Sequence, residues 1–213
     1  MPNYRNQTIE SFISALASAD PVPGGGSVAP LVAALGVALT SMCAALTVGK
    51  PKYAQHEQNA LDALAQAGTL ADELLDGMRR DSEAFLTYMT ALRMPKTDAE
   101  DIAVRRAAIQ TAARGATDLP LALLCACEKG MTVCESLLGR SNTGVYSDLA
   151  AAGVLLAAAA RLSLLNIYIN LSALGDDALA SEYKARGESL CGDIARRGTT
   201  LCDTVTAYIL GEG

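Results

Sequence analysis

From Ser27 to Val48 the chain carries no charged residue, and a segment of this kind has two stable destinations. About 20 apolar residues cross a bilayer as a helix, and a helix apolar on all sides also suits the centre of a helical bundle. The residues decide between the two. The stretch is rich in Ala, Gly, Ser and Thr rather than in Leu, Ile and Phe, carries Pro30 in its first turn, and has no aromatic belt. It reads as a central bundle helix and not as a membrane span. A second such helix begins near Tyr146 to Asp148 and runs to Leu174, with Asp148 and Arg161 as its only charges. Its small residues, Ala150 to Gly153 and Ala157 to Ala160, admit a closely packed neighbour.

Composition points the same way. Hydrophobic residues make up 51% of the chain but aromatics only 4%, so the interior is built from Ala, Leu, Val and Met, a mixture that favours packed helices. No window sustains strand alternation. Ile9, Phe12, Ile13 and Leu16 follow Thr8 at helical spacing. Residues 54–93 form one long amphipathic helix through Leu61, Leu64, Ala71, Leu74, Met78, Phe85, Met89 and Leu92. Met94-Pro95-Lys96 ends it, and Thr97 to Glu100 fits a capping box for the next helix. Asp118-Leu119-Pro120 predicts a further break, with Pro120 in the first turn of a helix that stops near Gly139. Gly175-Asp176-Asp177 starts the last helix. The expectation is one all-α domain over residues 1–213, a bundle of about six or seven helices with two apolar central helices.

Several functions are set aside. The balance of 17 basic against 23 acidic residues, with no basic block, argues against a nucleic-acid surface. Six cysteines without a CxxC pair, and no signal peptide, suggest reduced core thiols in a cytoplasmic protein. One histidine, His56, supports neither a multi-His metal site nor a nucleophile triad. Neither metal nor cofactor is expected. The excess of Ala-rich helix surface over what one chain covers suggests a homodimer.

The richest segment is Pro23-Gly24-Gly25-Gly26-Ser27. Three glycines before a helix expose backbone N–H groups that, with the helix dipole, hold a carboxylate or carbonyl; the same string also serves as a capping loop with Ser27 as N-cap. At the other end of that helix, Lys50, Lys52 and Tyr53 sit on a turn, where cations suit either an anionic ligand or the helix C-terminus. Asp148, after Ser147, heads an otherwise apolar helix, where burial favours an acid or base role. Asp81-Ser82 lies inside the long helix between charged neighbours.

Taken together, Ala19 to Ala29, Gly49-Lys50 with Lys52-Tyr53, Asp81 to Phe85, Met94-Pro95-Lys96, and Ser147-Asp148 before an Ala-rich helix with Asn166 and Asn170 resemble the cyclodeaminase/cyclohydrolase family. The resemblance spans almost the whole chain, and Pro30 stands where the family commonly has Ala. It implies an all-helical, usually dimeric enzyme acting on the one-carbon bridge of a tetrahydrofolate substrate. The expected activity is hydrolysis of 5,10-methenyltetrahydrofolate to 10-formyltetrahydrofolate, favoured because no formiminotransferase domain is attached. The alternatives are formiminotetrahydrofolate cyclodeaminase and a non-catalytic folate-binding helical dimer. In this reading Asp148 is the first proton-transfer candidate and Asp81 the second, the latter held ionised by Arg79 and Arg80. Pro23, Gly24, Gly25, Gly26, Ser27, Lys50, Tyr53 and Ser147 bind substrate, with Lys50 at the glutamate tail. Asn166 lies about 27 Å along the helix from Asp148 at roughly 1.5 Å per residue, with Asn170 one turn further, and the pair is read as helix–helix hydrogen bonds.

Overall fold

Capping side chains start several helices. In the computed structural model, which describes residues 4–212, the Thr8 side chain accepts from the Ser11 N–H to open α1 (Ile9–Leu16). Asp98 accepts from Asp101 N–H at 2.8 Å to open α4 (Ala99–Ser136). Asp176 accepts from Leu179 N–H to open α6 (Asp177–Leu210). The remaining helices are α2 (Gly25–Ala45), α3 (Glu57–Leu92) and α5 (Tyr146–Leu171), and short 3-10 turns lie at Tyr4–Asn6, Pro51–His56 and Thr143–Val145. Gly139, Gly175 and Gly211 take left-handed conformations just past helix ends, where a side chain would be strained. Among the described residues there is no strand, and six α-helices fall within the expected number.

The helices form two layers. α2, α5 and α6 lie side by side, α3 and α4 form a long hairpin beneath them, and α2 rests on α3 while α5 rests on α4. α2 and α5 run antiparallel and very close: a Cβ at Gly36 would stand 3.0 Å from the Ala152 carbonyl, and the Cys43 thiol donates to the Val145 carbonyl. A continuous core of Ala, Leu, Cys and Met side chains fills the space between layers, with Leu124, Met131, Leu149, Leu156 and Ile167 fully buried. The thiols of Cys43, Cys127 and Cys134 belong to this core, and burial pushes each up to about 12, which keeps it an unreactive thiol.

Two expectations are corrected. Pro120 does not break the chain; α4 runs through it. Proline has no N–H for the carbonyl four residues back, and the orphaned Ala116 carbonyl is taken instead by the Asn170 side-chain amide of α5 at 3.0 Å. Ser27 is not the N-cap of α2. That position belongs to Gly24, and Ser27 is a fully buried residue of the first turn. The two apolar helices are central as expected, each packed against several others, while the outer face of the upper layer is open. Leu35 and Met42 of α2 and Val154, Leu165 and Ile169 of α5 stand exposed along it.

By length and apolarity α2 and the Thr143–Leu171 segment could each cross a membrane, yet half of each window is buried inside the bundle. They pack against α3, α4 and α6, whose outer faces are charged. The buried side of each apolar helix is thus covered by amphipathic helices, as in the interior of a helical bundle.

Candidate active site

The start of α2 is drawn against the middle of α3. Gly77 lets α3 approach Pro30, for a Cβ there would lie 3.3 Å from the proline ring. At Gly26 the fit is closer still, since an added Cβ would sit 2.0 Å from Asp81 Oδ1. Only glycine leaves room for that carboxylate. Gly25 meets no atom within 4 Å in the same construction, so the glycines that look alike in the sequence have different reasons to be there. Pro23 is buried at the foot of this loop, and Gly24 is half-buried.

Above this contact the four helices α2 to α5 part to leave a cavity of about 180 Å³, partly open to solvent. Its lining, mostly apolar with a few polar groups, is of the kind that small-molecule sites have. Leu74, Phe85, Leu119, Leu123 and Ile169 supply apolar and aromatic wall, and Tyr88 adds a second ring. Glu73, Arg80 and Asp81 enter from α3, and Ser163, Asn166 and Asn170 from α5. Asn166 donates to its own helix at the Leu162 carbonyl, 2.9 Å, and Asn170 donates to α4. The helix–helix reading therefore holds for Asn170 and fails for Asn166, and both amides keep a carbonyl oxygen available at the cavity. Pro30 likewise has no N–H for the Gly26 carbonyl, which is freed at the cavity wall.

Asp81 is the enclosed carboxylate of this site. Its Oδ2 accepts from Ser27 Oγ at 2.8 Å. Burial raises its pKa above the ordinary carboxylate range, and the Ser27 hydrogen bond acts in the opposite sense. The flanking arginines do not hold it ionised as expected. Arg79 is turned away and bonded to Asp76 and Glu83 at 2.7 and 2.6 Å, and Arg80 lies exposed on the cavity wall.

The other expected residues lie elsewhere. Lys50, Tyr53, Ser147 and Asp148 gather at the opposite end of the antiparallel α2–α5 pair, about 27 Å along α5 at 1.5 Å per residue. There the Tyr53 phenol oxygen accepts from the Thr143 N–H at 3.1 Å. The Thr143 hydroxyl, that N–H and Lys52 together hold the phenol below its usual range. Asp148 is half-buried and Lys50 and Ser147 are exposed, so the expected enclosure of Asp148 among Ala and Leu is not met. Within one chain the structure joins Gly26, Ser27 and Asp81 and separates them from Lys50, Tyr53, Ser147 and Asp148. Among the described residues no group of three or more His, Cys, Asp or Glu converges.

Sequence reasoning did not include Glu73, Arg80, Tyr88 and the α4 wall. A signal existed on α3, where Glu73, Gly77, Asp81, Ala84 and Tyr88 follow one another three or four residues apart along one helix face.

The comparisons with known proteins agree with this architecture. The chain is 36% identical over 204 residues to methenyltetrahydrofolate cyclohydrolase of Methylorubrum extorquens, covering 96% of this chain and 98% of that protein. It is 28% identical to formimidoyltransferase-cyclodeaminase of Sus scrofa over 95% of this chain and 37% of the relative, and 31% identical to the Gallus gallus protein over 90% and 35%. The fold superposes on the crystal structure of formiminotetrahydrofolate cyclodeaminase from Thermotoga maritima with a TM-score of 0.81 at 22% identity, covering 95% of this chain and 98% of that one. A sequence model described as formiminotransferase-cyclodeaminase matches residues 8–189, and the chain belongs to that family.

Proposed function

We propose that this protein is a folate enzyme that hydrolyses 5,10-methenyltetrahydrofolate to 10-formyltetrahydrofolate, with Asp81 as the proton-transfer group. The observation that carries the reading is the placement of Asp81: an enclosed carboxylate, hydrogen-bonded to Ser27, on the wall of the cavity between four helices. Near-complete mutual coverage with a methenyltetrahydrofolate cyclohydrolase supports the choice of reaction.

The chemistry follows from the charges. The substrate's amidinium is cationic, and a carboxylate beside it favours binding. Because that charge disappears as water adds, the same carboxylate accelerates the reaction by taking the proton from the attacking water. The adduct then collapses: the proton held by Asp81 passes to N5 as the carbon–N5 bond breaks, and the formyl carbonyl forms on N10 as the hydroxyl gives its remaining proton back to the Asp81 carboxylate, from which it leaves to solvent. Burial suits a carboxyl that must both accept and return a proton. Phe85 and Tyr88 offer faces for a flat ring, and Asn166, Asn170 and the Gly26 carbonyl offer polar partners for its edge. No metal or further cofactor enters this scheme.

Similarity to the cyclodeaminases favours one second reading, in which N10 attacks a formimino carbon and ammonia leaves. The same carboxylate then stabilises a developing cation. Incubation with methenyl- and with formiminotetrahydrofolate, following absorbance and ammonia, separates the two. Folate binding without turnover of either would sink both and leave a non-catalytic binding protein.

We further propose a cytoplasmic homodimer joined through the open face of α2 and α5. Leu35, Met42, Val154 and Leu165 give that face its apolar surface. In an isologous pair whose two-fold axis crosses the middle of these antiparallel helices, the partner's Lys50 and the partner's Asp148 come over this chain's cavity. The dimer reunites the two halves of the family motif that one chain holds apart. Lys50 then has a route to a folate's glutamate tail. Sedimentation as a monomer at micromolar concentration would rule the arrangement out.

A further inference from the structure

The hydroxyl groups of Tyr4, Ser82 and Ser27 stand in a line that ends on the candidate carboxylate. Tyr4 Oη lies 3.0 Å from Ser82 Oγ, Ser82 Oγ lies 3.2 Å from Ser27 Oγ, and Ser27 Oγ donates to Asp81 Oδ2 at 2.8 Å. All three are buried, at 5%, 2% and 0% exposure. Proton counting gives the line a direction. Ser27 has one proton, and the carboxylate at 2.8 Å is a nearer and stronger acceptor than the Met78 carbonyl at 3.2 Å. Ser27 therefore accepts from Ser82. Ser82, its own proton used, accepts from Tyr4, the most acidic hydroxyl of the three.

Ser82 also departs from the habit of its kind in this fold. A serine or threonine inside a helix commonly bonds back to the carbonyl four residues earlier. Thr40, Thr117 and Ser163 do so here, at 3.1, 2.7 and 2.8 Å. The corresponding carbonyl for Ser82 is that of Met78, and Ser82 makes no such bond; its hydroxyl lies instead within hydrogen-bond distance of Ser27 and Tyr4. Ser82 is thus freed to join α2 to the N-terminal turn. Tyr4 is held in place by an edge-on contact with Phe12, ring centroids 5.6 Å apart, and by Met78. It lies ahead of residues 8–189, the span matched by the family.

We propose that Tyr4 and Ser82 are positioning residues for Asp81, acting through Ser27 so that successive hydroxyl donors polarise one another toward the carboxylate and fix its ionised form at the cavity wall. The proposal rests on the reading of Asp81 as the proton-transfer group. Donor chains of this kind strengthen their terminal hydrogen bond. The other charged and titratable groups near Asp81 are few. Glu73, Arg80 and Tyr88 share its wall on α3, Arg79 and Glu83 are paired with each other, and Arg5 of the N-terminal turn is paired with Asp72. α2 offers only Ser27, and neither α4 nor α5 places an ionisable side chain on the cavity.

The sign is fixed by this geometry. Loss of a donor destabilises the carboxylate, so Asp81 titrates at higher pH and the ascending limb of the rate profile moves the same way. In Ser82→Ala and Tyr4→Phe, kcat on the acidic side should fall roughly threefold to tenfold and recover as pH rises, with KM unchanged because neither residue lines the cavity. Ser82→Thr, which keeps a hydroxyl, should restore the profile. The direct readout is the carbon-13 titration of the Asp81 carboxyl in the ligand-free protein, which does not depend on which reaction is catalysed. Displacement of that titration to higher pH in Ser82→Ala and its return in Ser82→Thr is the expected result. A titration superimposable on wild type in Ser82→Ala would overturn the proposal even if Asp81→Asn is inactive. If Tyr4→Phe fails to fold, the two Ser82 variants decide the matter. An active Asp81→Asn protein would instead remove the functional reading on which the proposal stands.

Discussion

The antiparallel pair α2 and α5 has two ends, each with an aspartate near a helix start, and the two aspartates are in opposite circumstances. At one end Asp81 is enclosed by the α2 glycines and hydrogen-bonded to Ser27, with its pKa raised by burial. At the other Asp148 is half-buried on the first turn of α5, among the exposed Lys50 and Ser147. The sequence suggests the reverse, since Asp148 heads an apolar helix and Asp81 stands between arginines. What a carboxylate experiences depends on the helices that pack across it, not on its neighbours along its own helix. Arg79 illustrates this: two residues from Asp81 in the chain, it is bonded to Asp76 and Glu83 on another side of α3.

The sharpest way to break the comparison is to neutralise each aspartate. Asp81→Asn should lower turnover by about 10² to 10⁴, the usual worth of a positioned acid or base. If the proposed dimer brings the two ends together, Asp148→Asn should lower it too, and equal mixing of the two inactive proteins should restore about a quarter of wild-type activity, because half the dimers then carry one intact site. No recovery on mixing, with dimers exchanging, would show that the two ends do not meet across subunits. An Asp81→Asn protein with near wild-type turnover would remove the cavity end from the mechanism altogether.

A smaller effect separates the glycines. Gly26→Ala places a methyl group against the Asp81 carboxylate and must displace it, so turnover should fall by about 10². Gly25→Ala projects into open space and should change turnover less than about twofold. Equal losses from both would mean that the loop serves through its backbone N–H groups and not through its fit to Asp81.

The smallest effect is on stability. Asn170→Leu leaves the Ala116 carbonyl without a partner beside Pro120, which should cost about 1–3 kcal/mol in denaturant unfolding. Adding Pro120→Ala returns an N–H to that carbonyl and should recover part of the loss. Strict additivity of the two changes would show that Asn170 and Pro120 are not coupled.

Much of the fold was legible because helix periodicity and caps are local. Thr8, Asp98 and Asp176 cap helices near where sequence signals place their starts, and Gly139 and Gly175 follow helix ends as their type suggests. Pro120 misled for the same reason. A proline removes a local hydrogen bond, and nothing nearby in sequence reveals that Asn170 of another helix satisfies the carbonyl left behind. The open outer face of α2 and α5 was illegible for another reason, since absence of charge says that a helix avoids water but not which neighbour covers it.

By itself, then, the sequence determined an all-helical chain, the two apolar helices, the glycine-proline segment and the family to which these belong, all of them properties of residue type and spacing. Only the tertiary structure decided that Gly26, Ser27, Ser82 and Tyr4 converge on Asp81 and that Asn166 and Asn170 share its cavity. Those groups are brought together by helices distant in sequence, and burial, hydrogen-bond partnership and pKa arise from that packing across the chain.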